Sequence, residues 1–282
     1  MGDRVRVVTD STSDISPKVA QALGITVVPG YVRFRDEVYR DGLDIDSTAL
    51  YEKLRRTGIA PTTSEPAPED FAKVYSECSR GAEGIVSIHI SAKISRIYSS
   101  ALQAKEMMQG ECQIEVIDSH LVSVGLALVV FAAARLAEAG ESWQSVVEET
   151  QRAMGQVSML GLFDTLGFLA FSDRISSSIA VMADTLHIKP LLGISGGEVV
   201  RSGLVLTYAA GVEKLYEFAR KNYPNVQDLA IAHSLVPERA NQLKSRLSYV
   251  VPAEKIYVAE LGAALVAHTG PRVLVLALRR SE

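Results

Sequence analysis

Cysteine is nearly missing from this sequence. Cys78 and Cys112 are the only two, at no metal-type or redox-type spacing, which fits a reducing cytosol. No block of lysine and arginine occurs, and the net charge is −4, so nothing asks for nucleic acid as a partner. No apolar run is long enough for a membrane span: Leu121 to Ala134 is nearly all apolar, but a bilayer needs roughly 20 residues. It reads as a buried helix, and no stable membrane insertion is expected. The first residues, Met-Gly-Asp-Arg-Val-Arg, run into a strand without a signal-peptide core, so the expected location is cytoplasmic. Neither a Gly-x-Gly-x-x-Gly nor a Walker-type loop occurs, so no nucleotide is indicated, and no Gly-x-Ser-x-Gly elbow marks a nucleophile. Internal repeats and low-complexity segments are absent as well.

Apolar residues, at 48%, are plentiful enough for real cores, and 282 residues favour two domains over one. The most informative stretch is Glu83 to Ala101. It opens as a strand, with the β-branched Ile85, Val86, Ile88 and Ile90, and closes as a helix on the spacing of Ile97, Tyr98, Ala101 and Leu102. Ser95 lies between them at an expected N-cap. A strand entering a helix through such a turn collects free N–H groups and hydroxyls at one point. That point suits an anion, although Ser91 and Ser95 could equally serve only as caps.

The same grammar recurs along the first half. Arg4–Thr9 reads as a strand ending in Asp10-Ser-Thr-Ser-Asp14. Ser16-Pro17 starts a helix that stops at Gly24, and Ile25–Val28 is a second strand. Tyr31 to Asp44 suggests a short hairpin or loop excursion, and Ser47–Arg56 a helix. Gly58 to Pro68, with Pro61, Pro66 and Pro68, reads as an ordered loop leading into a helix. Gln113–Ile117 is a further strand, ending in Asp118-Ser119. Strand, polar turn and helix in alternation make a parallel α/β unit, whose strand ends line one edge where ligands bind.

After the amphipathic helix Ser142–Gly155 the pattern changes. Strands are expected at Val157–Phe163 and Ile188–Ile194, then a hairpin turn Ser195-Gly-Gly-Glu198 and a returning strand Val199–Thr207. Helix Val212–Asn222, strand Leu229–Ala232, helix Pro237–Leu247 and strands Lys255–Val258 and Val273–Leu278 follow. Hairpins beside crossover helices imply a mixed sheet.

Several pieces, in one order, resemble the DegV family of bacterial fatty acid-binding proteins. They are Val8-Thr-Asp-Ser-Thr-Ser-Asp14, Thr63-Ser-Glu-Pro66 with Glu69-Asp-Phe71, Ser87-Ile-His-Ile-Ser-Ala-Lys-Ile-Ser95 with Tyr98, and Val116-Ile-Asp-Ser119. Asp173-Arg-Ile-Ser176, Ile188-Lys-Pro190, Ile231-Ala-His233 and Ala267-His-Thr-Gly-Pro271 continue the series. The resemblance implies an α/β fold of two domains. Residues 1–155 would form a three-layer α/β/α unit with a parallel sheet, carrying the carboxylate-binding turns. Residues 156–282 would form an α/β unit with a mixed sheet, enclosing the acyl chain. It further implies one long-chain fatty acid, such as palmitate, held between the domains, with no cofactor, no metal and no catalysis by the chain itself. In the best understood branch of the family a fatty acid kinase phosphorylates the presented carboxylate. By the same resemblance, Thr63 and Ser95 hold that carboxylate, His268 lies beside it, and Arg174 works with the kinase.

Four departures from the family pattern bear on those expectations. Arg96 stands where relatives commonly carry glycine, and could add a cation. Ser172-Asp173 replaces Gly-Gly, Arg272 replaces a glycine, and Leu206 replaces an arginine of the kinase-coupled branch. Among other candidates, His89 sits mid-strand among isoleucines and reads as a satisfied core histidine. Asp10 and Asp118 read as caps of the helices that follow them, and His268 as a loop residue next to a strand. The rival readings are a serine-dependent acyl hydrolase using Ser95 and His268, and a binder or sensor of another amphipathic acid.

Overall fold

The computed structural model describes residues 5–110, 112–170 and 188–281. In the first half, valine and isoleucine runs form β1 (Arg6–Asp10), β2 (Ile25–Val28), β6 (Gly84–His89) and β7 (Gln113–Asp118). These pair in the order β2-β1-β6-β7, all parallel. The chain leaves β1 toward β2 on one side and reaches β6 on the other, which makes the β1/β6 boundary the switch point of the sheet. Helix α1 (Pro17–Ala22) starts with Ser16 as N-cap and Pro17 behind it, as expected.

The excursion after β2 is a hairpin of β3 (Tyr31–Phe34) and β4 (Glu37–Arg40). Helix α2 (Ser47–Thr57) follows, capped by the Asp46 side chain and ended by Gly58 at φ 66°. The proline-bounded stretch beyond it is more than a loop. It contains β5 (Thr62–Ser64), which completes an antiparallel sheet in the order β4-β3-β5. Helix α3 (Pro68–Cys78) leads to β6, and α4 (Ile97–Met107) follows it. Helix α4 begins one residue later than expected: Arg96 occupies the N-cap position, and Ser95 stands just outside it.

Helix α5 (Ser123–Glu138) is the predicted buried helix, and nearly every residue from Ser123 to Ala134 is buried. Such all-round burial requires apolar neighbours on every side. Together with α6 (Trp143–Gln156), α5 touches both the parallel sheet and a second, larger sheet. The larger sheet contains β8 (Val157–Leu162), β9 (Lys189–Ser195), β10 (Glu198–Val205), β11 (Val226–His233), β12 (Ile256–Glu260) and β13 (Leu274–Arg280). Its order is β10-β9-β8-β13-β11-β12, antiparallel except for β11 and β12. The expected class, α/β with a parallel first sheet and a mixed second one, is the class observed.

Helices α8 (Tyr208–Asn222) and α9 (Pro237–Leu247) cover the far face of the second sheet. The described residues also include two short helices, α7 (Gly167–Ala170) after β8 and α10 (Ala263–Thr269) between β12 and β13. One apolar core runs from Val8 and Ile88 of the first sheet, through α5, to Ala230 and Val275 of the second.

Candidate functional site

A cavity of about 360 Å³ opens between the two sheets, at the carboxyl edge of β1 and β6. Small-molecule sites commonly measure roughly 300–1,000 Å³. The polar turns after the parallel strands all reach it: Thr12 follows β1, Ser95 follows β6 and Ser123 follows β7. The opposite wall is apolar and comes from the second sheet, with Met159, Phe163, Leu192, Ile194 and Val275 on it. Hydroxyls on one side and hydrocarbon on the other make an amphipathic chamber.

Thr63 enters the cavity because β5 pairs with β3 in a register that sets Thr63 opposite Val32. Its Oγ1 lies 2.7 Å from His268 Nε2. His268 is not the loop residue expected from its Thr-Gly-Pro neighbours; it sits in the last turn of α10, which ends at Gly270 with φ 72°. The residues preceding α10 carry no side-chain cap of their own. Its first N–H groups are satisfied from the other half of the molecule instead. Gly262 donates to Asp14 Oδ1 at 2.7 Å and Ala264 to Asp41 Oδ1 at 3.2 Å. Ser123 Oγ donates to Asp14 Oδ2 at 2.6 Å, and Ser11 Oγ to Asp41 Oδ2 at 2.7 Å. Burial away from water pushes Asp14 up to about 8 and Asp41 up to about 6, against the opposing pull of these bonds.

Ser95 is placed by the turn after β6. Its N–H donates to Ser91 O at 3.0 Å, and its Oγ accepts from Ile97 N–H at 3.3 Å. The hydroxyl therefore serves the start of α4 as well as facing the cavity. Arg96 also lines the cavity and pairs with Glu65 Oε1 at 2.8 Å, largely in solvent. Its φ of −84° is open to any residue, so the position makes no demand for glycine. Arg272 differs: its φ of 61° is the left-handed conformation that glycine adopts without strain.

Thr63, Ser95, Arg96 and His268 thus share one cavity. Arg174 falls outside the described residues, as does the Ser172-Asp173 departure. Leu206 is on the surface, 77% exposed, between β10 and α8. Arg272 stands away from the cavity wall, over the Tyr208 ring at 5.6 Å and 3.7 Å from Asp164.

His89 is the core histidine it was expected to be. Nε2 bonds to Ser87 Oγ at 2.7 Å, Nδ1 to Asp10 at 3.0 Å, and Phe71 packs edge-on to the ring. Asp10 caps the 3-10 turn Ser11–Ser13, accepting from Thr12 N–H at 3.0 Å. Asp118 is not the cap of α5: it accepts from Ala92 and His120 N–H, tying the turn after β6 to its own turn. Thr12, Lys93 and Ser123 line the cavity as well, beyond the residues expected from sequence. The signal for them was present, since all three lie within or beside the polar turns at the ends of parallel strands.

Chemically, the polar lining presents several hydroxyls, one imidazole and the charged side chains of Glu65, Lys93 and Arg96. Among the described residues no group of three or more His, Cys, Asp or Glu side chains could hold a metal ion. The Ser95 Oγ accepts from Ile97 N–H, and His268 Nε2 is bonded to Thr63. None of the described helices is long and apolar enough to cross a membrane.

Comparison with known proteins agrees along the whole chain. A family model described as "Uncharacterised protein, DegV family" matches residues 4–280. A DegV domain-containing protein of Deinococcus radiodurans is 33% identical over 277 residues, covering 97% of this chain and 98% of that protein. Among solved structures, a fatty acid-binding DegV family protein of Thermus thermophilus is 33% identical, with a TM-score of 0.90 over 99% of this chain and 100% of that one. DegV of Bacillus subtilis, a fatty acid-binding protein, is 27% identical with a TM-score of 0.89, over 99% and 100% of the two chains.

Proposed function

Because this chain belongs to the DegV family, we propose that it binds one long-chain fatty acid in the cavity between its two sheets, without catalysing a reaction on it. The carboxylate rests on Thr63 and Ser95 beside His268, and the acyl chain runs over the apolar wall of the second sheet. The observation that carries this reading is a coincidence of position: residues far apart in sequence meet at the polar end of one otherwise apolar cavity. Hydrogen bonds to a charged group contribute about 1.5–3 kcal/mol each. Burial of the chain adds about 0.8 kcal/mol per methylene, so the tail supplies most of the affinity and the hydroxyls fix its orientation. The head group lies at the cavity's polar end, where a partner such as a fatty acid kinase can reach it.

Mass spectrometry of lipid carried through a mild purification tests the reading. A fatty acid in near-stoichiometric amount is expected. No acyl lipid on extraction, together with no binding of added palmitate or oleate, would remove it. Turnover of a p-nitrophenyl acyl ester that disappears in Ser95→Ala would instead establish the hydrolase.

A further inference from the structure

Two glycines at or beside the cavity seat large side chains that line it. Gly161 lies on β8 between Val275 of β13 and Leu192 of β9, in register with both, and lines the cavity itself. Gly125 lies in the first turn of α5, which packs on the cavity-facing side of the second sheet. Each gap is filled by a neighbour. A Cβ on Gly161 would stand 2.8 Å from Cε2 and 3.4 Å from Cζ of Phe163, so the Phe163 ring is folded back over the strand backbone. A Cβ on Gly125 would stand 2.8 Å from Sδ and 3.6 Å from Cε of Met159, so the thioether is drawn into the helix surface. Carbon and sulfur cannot approach that closely. Any side chain larger than hydrogen at either glycine therefore drives its large partner elsewhere.

Phe163 and Met159 both line the cavity: Met159 and Gly161 alternate onto one face of β8, and Phe163, just past its end, packs with the same core. Phe163 lies at the end of the strand nearest α7, which packs against α10 and so neighbours His268. Met159 is four residues earlier, about 13 Å further along the strand. An acyl chain that left the Thr63–His268 pair along β8 would pass Phe163 first and then Met159, which packs on the first turn of α5.

We propose that these two glycine-seated side chains decide which acyl chains the cavity accepts, Phe163 over Gly161 setting its width and Met159 over Gly125 setting its length. The proposal rests on the reading that the cavity holds a fatty acid. Chemically it divides the ligand class in two. Width separates straight saturated chains from chains bent by a cis double bond, and length separates short from long. Phenylalanine has a rigid ring that either lies back or obstructs, whereas methionine is flexible and yields gradually.

The test uses the full-length protein, stripped of endogenous lipid and titrated with straight-chain acids from laurate to arachidate and with stearate against oleate. Gly125→Ala is expected to move the preferred length downward, each methylene that no longer fits losing about fourfold in affinity. Met159→Ala is expected to move it upward. Gly161→Ala is expected to lower oleate binding relative to stearate by about tenfold, and Phe163→Leu to raise it. Circular dichroism checks that each variant is folded, and the two side-chain truncations probe the same walls without adding bulk. Folded variants that keep the wild-type length profile and an oleate-to-stearate ratio within about twofold of wild type would overturn the proposal. A wild-type protein that bound none of these acids would overturn the reading of the cavity as well.

Discussion

At the scale of single residues, the polar end depends on two hydroxyls with different duties. Thr63 Oγ1 is hydrogen-bonded to His268 Nε2 at 2.7 Å, and Ser95 accepts from the start of α4. If the carboxylate rests on both, as proposed, replacing both by alanine removes two hydrogen bonds to a charged group and should weaken fatty acid binding by about 2–5 kcal/mol. Isothermal titration with palmitate measures this, and affinity within threefold of wild type would place the head group elsewhere. Leu206 belongs to the surface, so Leu206→Arg should leave folding and lipid affinity unchanged. If a phosphate-handling partner docks there, the new guanidinium supplies a bidentate donor, and acyl-phosphate formation with a fatty acid kinase should rise. A rate equal to wild type would show that this position is not used.

At the scale of elements, α10 holds His268 in place through carboxylates it does not own. Asp14 and Asp41 are buried, and both are pushed above the ordinary carboxylate range, to about 8 and about 6. The folded chain therefore holds protons that the unfolded chain releases above about pH 4. Stability is full below that point and declines as pH rises through about 4 to 8, by at most about 1.4 kcal/mol per unit for each group. Asp14→Asn keeps an acceptor for Gly262 N–H and removes the titration, so it should flatten the upper part of this slope. Melting temperatures between pH 5 and about 8.5 measure it, and an unchanged slope would show that Asp14 does not titrate there. The Arg40–Asp44 pair acts in the opposite sense: its bond pulls Asp44 down to about 2, so its contribution is lost only in strong acid.

At the scale of the molecule, the two sheets share α5. The chain enters the second sheet where α6 ends at Gln156 and β8 begins at Val157. Yet the core that contains Val8 also contains Val275. A helix buried on all sides cannot leave either sheet without exposing apolar surface, at about 25 cal/mol per Å². Residues 1–155 and 156–282 are therefore expected to unfold together, as one calorimetric transition whose midpoint rises when palmitate is added. Two separated transitions, only one of them ligand-sensitive, would mean that the halves are independent folding units.

Local pattern by itself determined much of this protein. β-Branched runs between polar turns located the parallel strands. The apolar run from Leu121 identified α5, and glycine pairs marked the β9–β10 hairpin, because each of these signals is complete within a few residues. The resemblance of several short motifs was enough to name Thr63, Ser95 and His268 together. What the tertiary structure decided are elements whose partners are distant. β5 is a strand only because β3, thirty residues earlier, pairs with it. α10 is a short helix whose caps are Asp14, 248 residues from Gly262, and Asp41, 223 residues from Ala264. A backbone N–H needs an acceptor, and when that acceptor arrives from the opposite half of the chain no neighbouring residue announces it. The cavity is of the same kind: its hydroxyls come from the turns of the parallel sheet and from β5, most of its hydrocarbon comes from the second sheet, and only their packing together makes them one site.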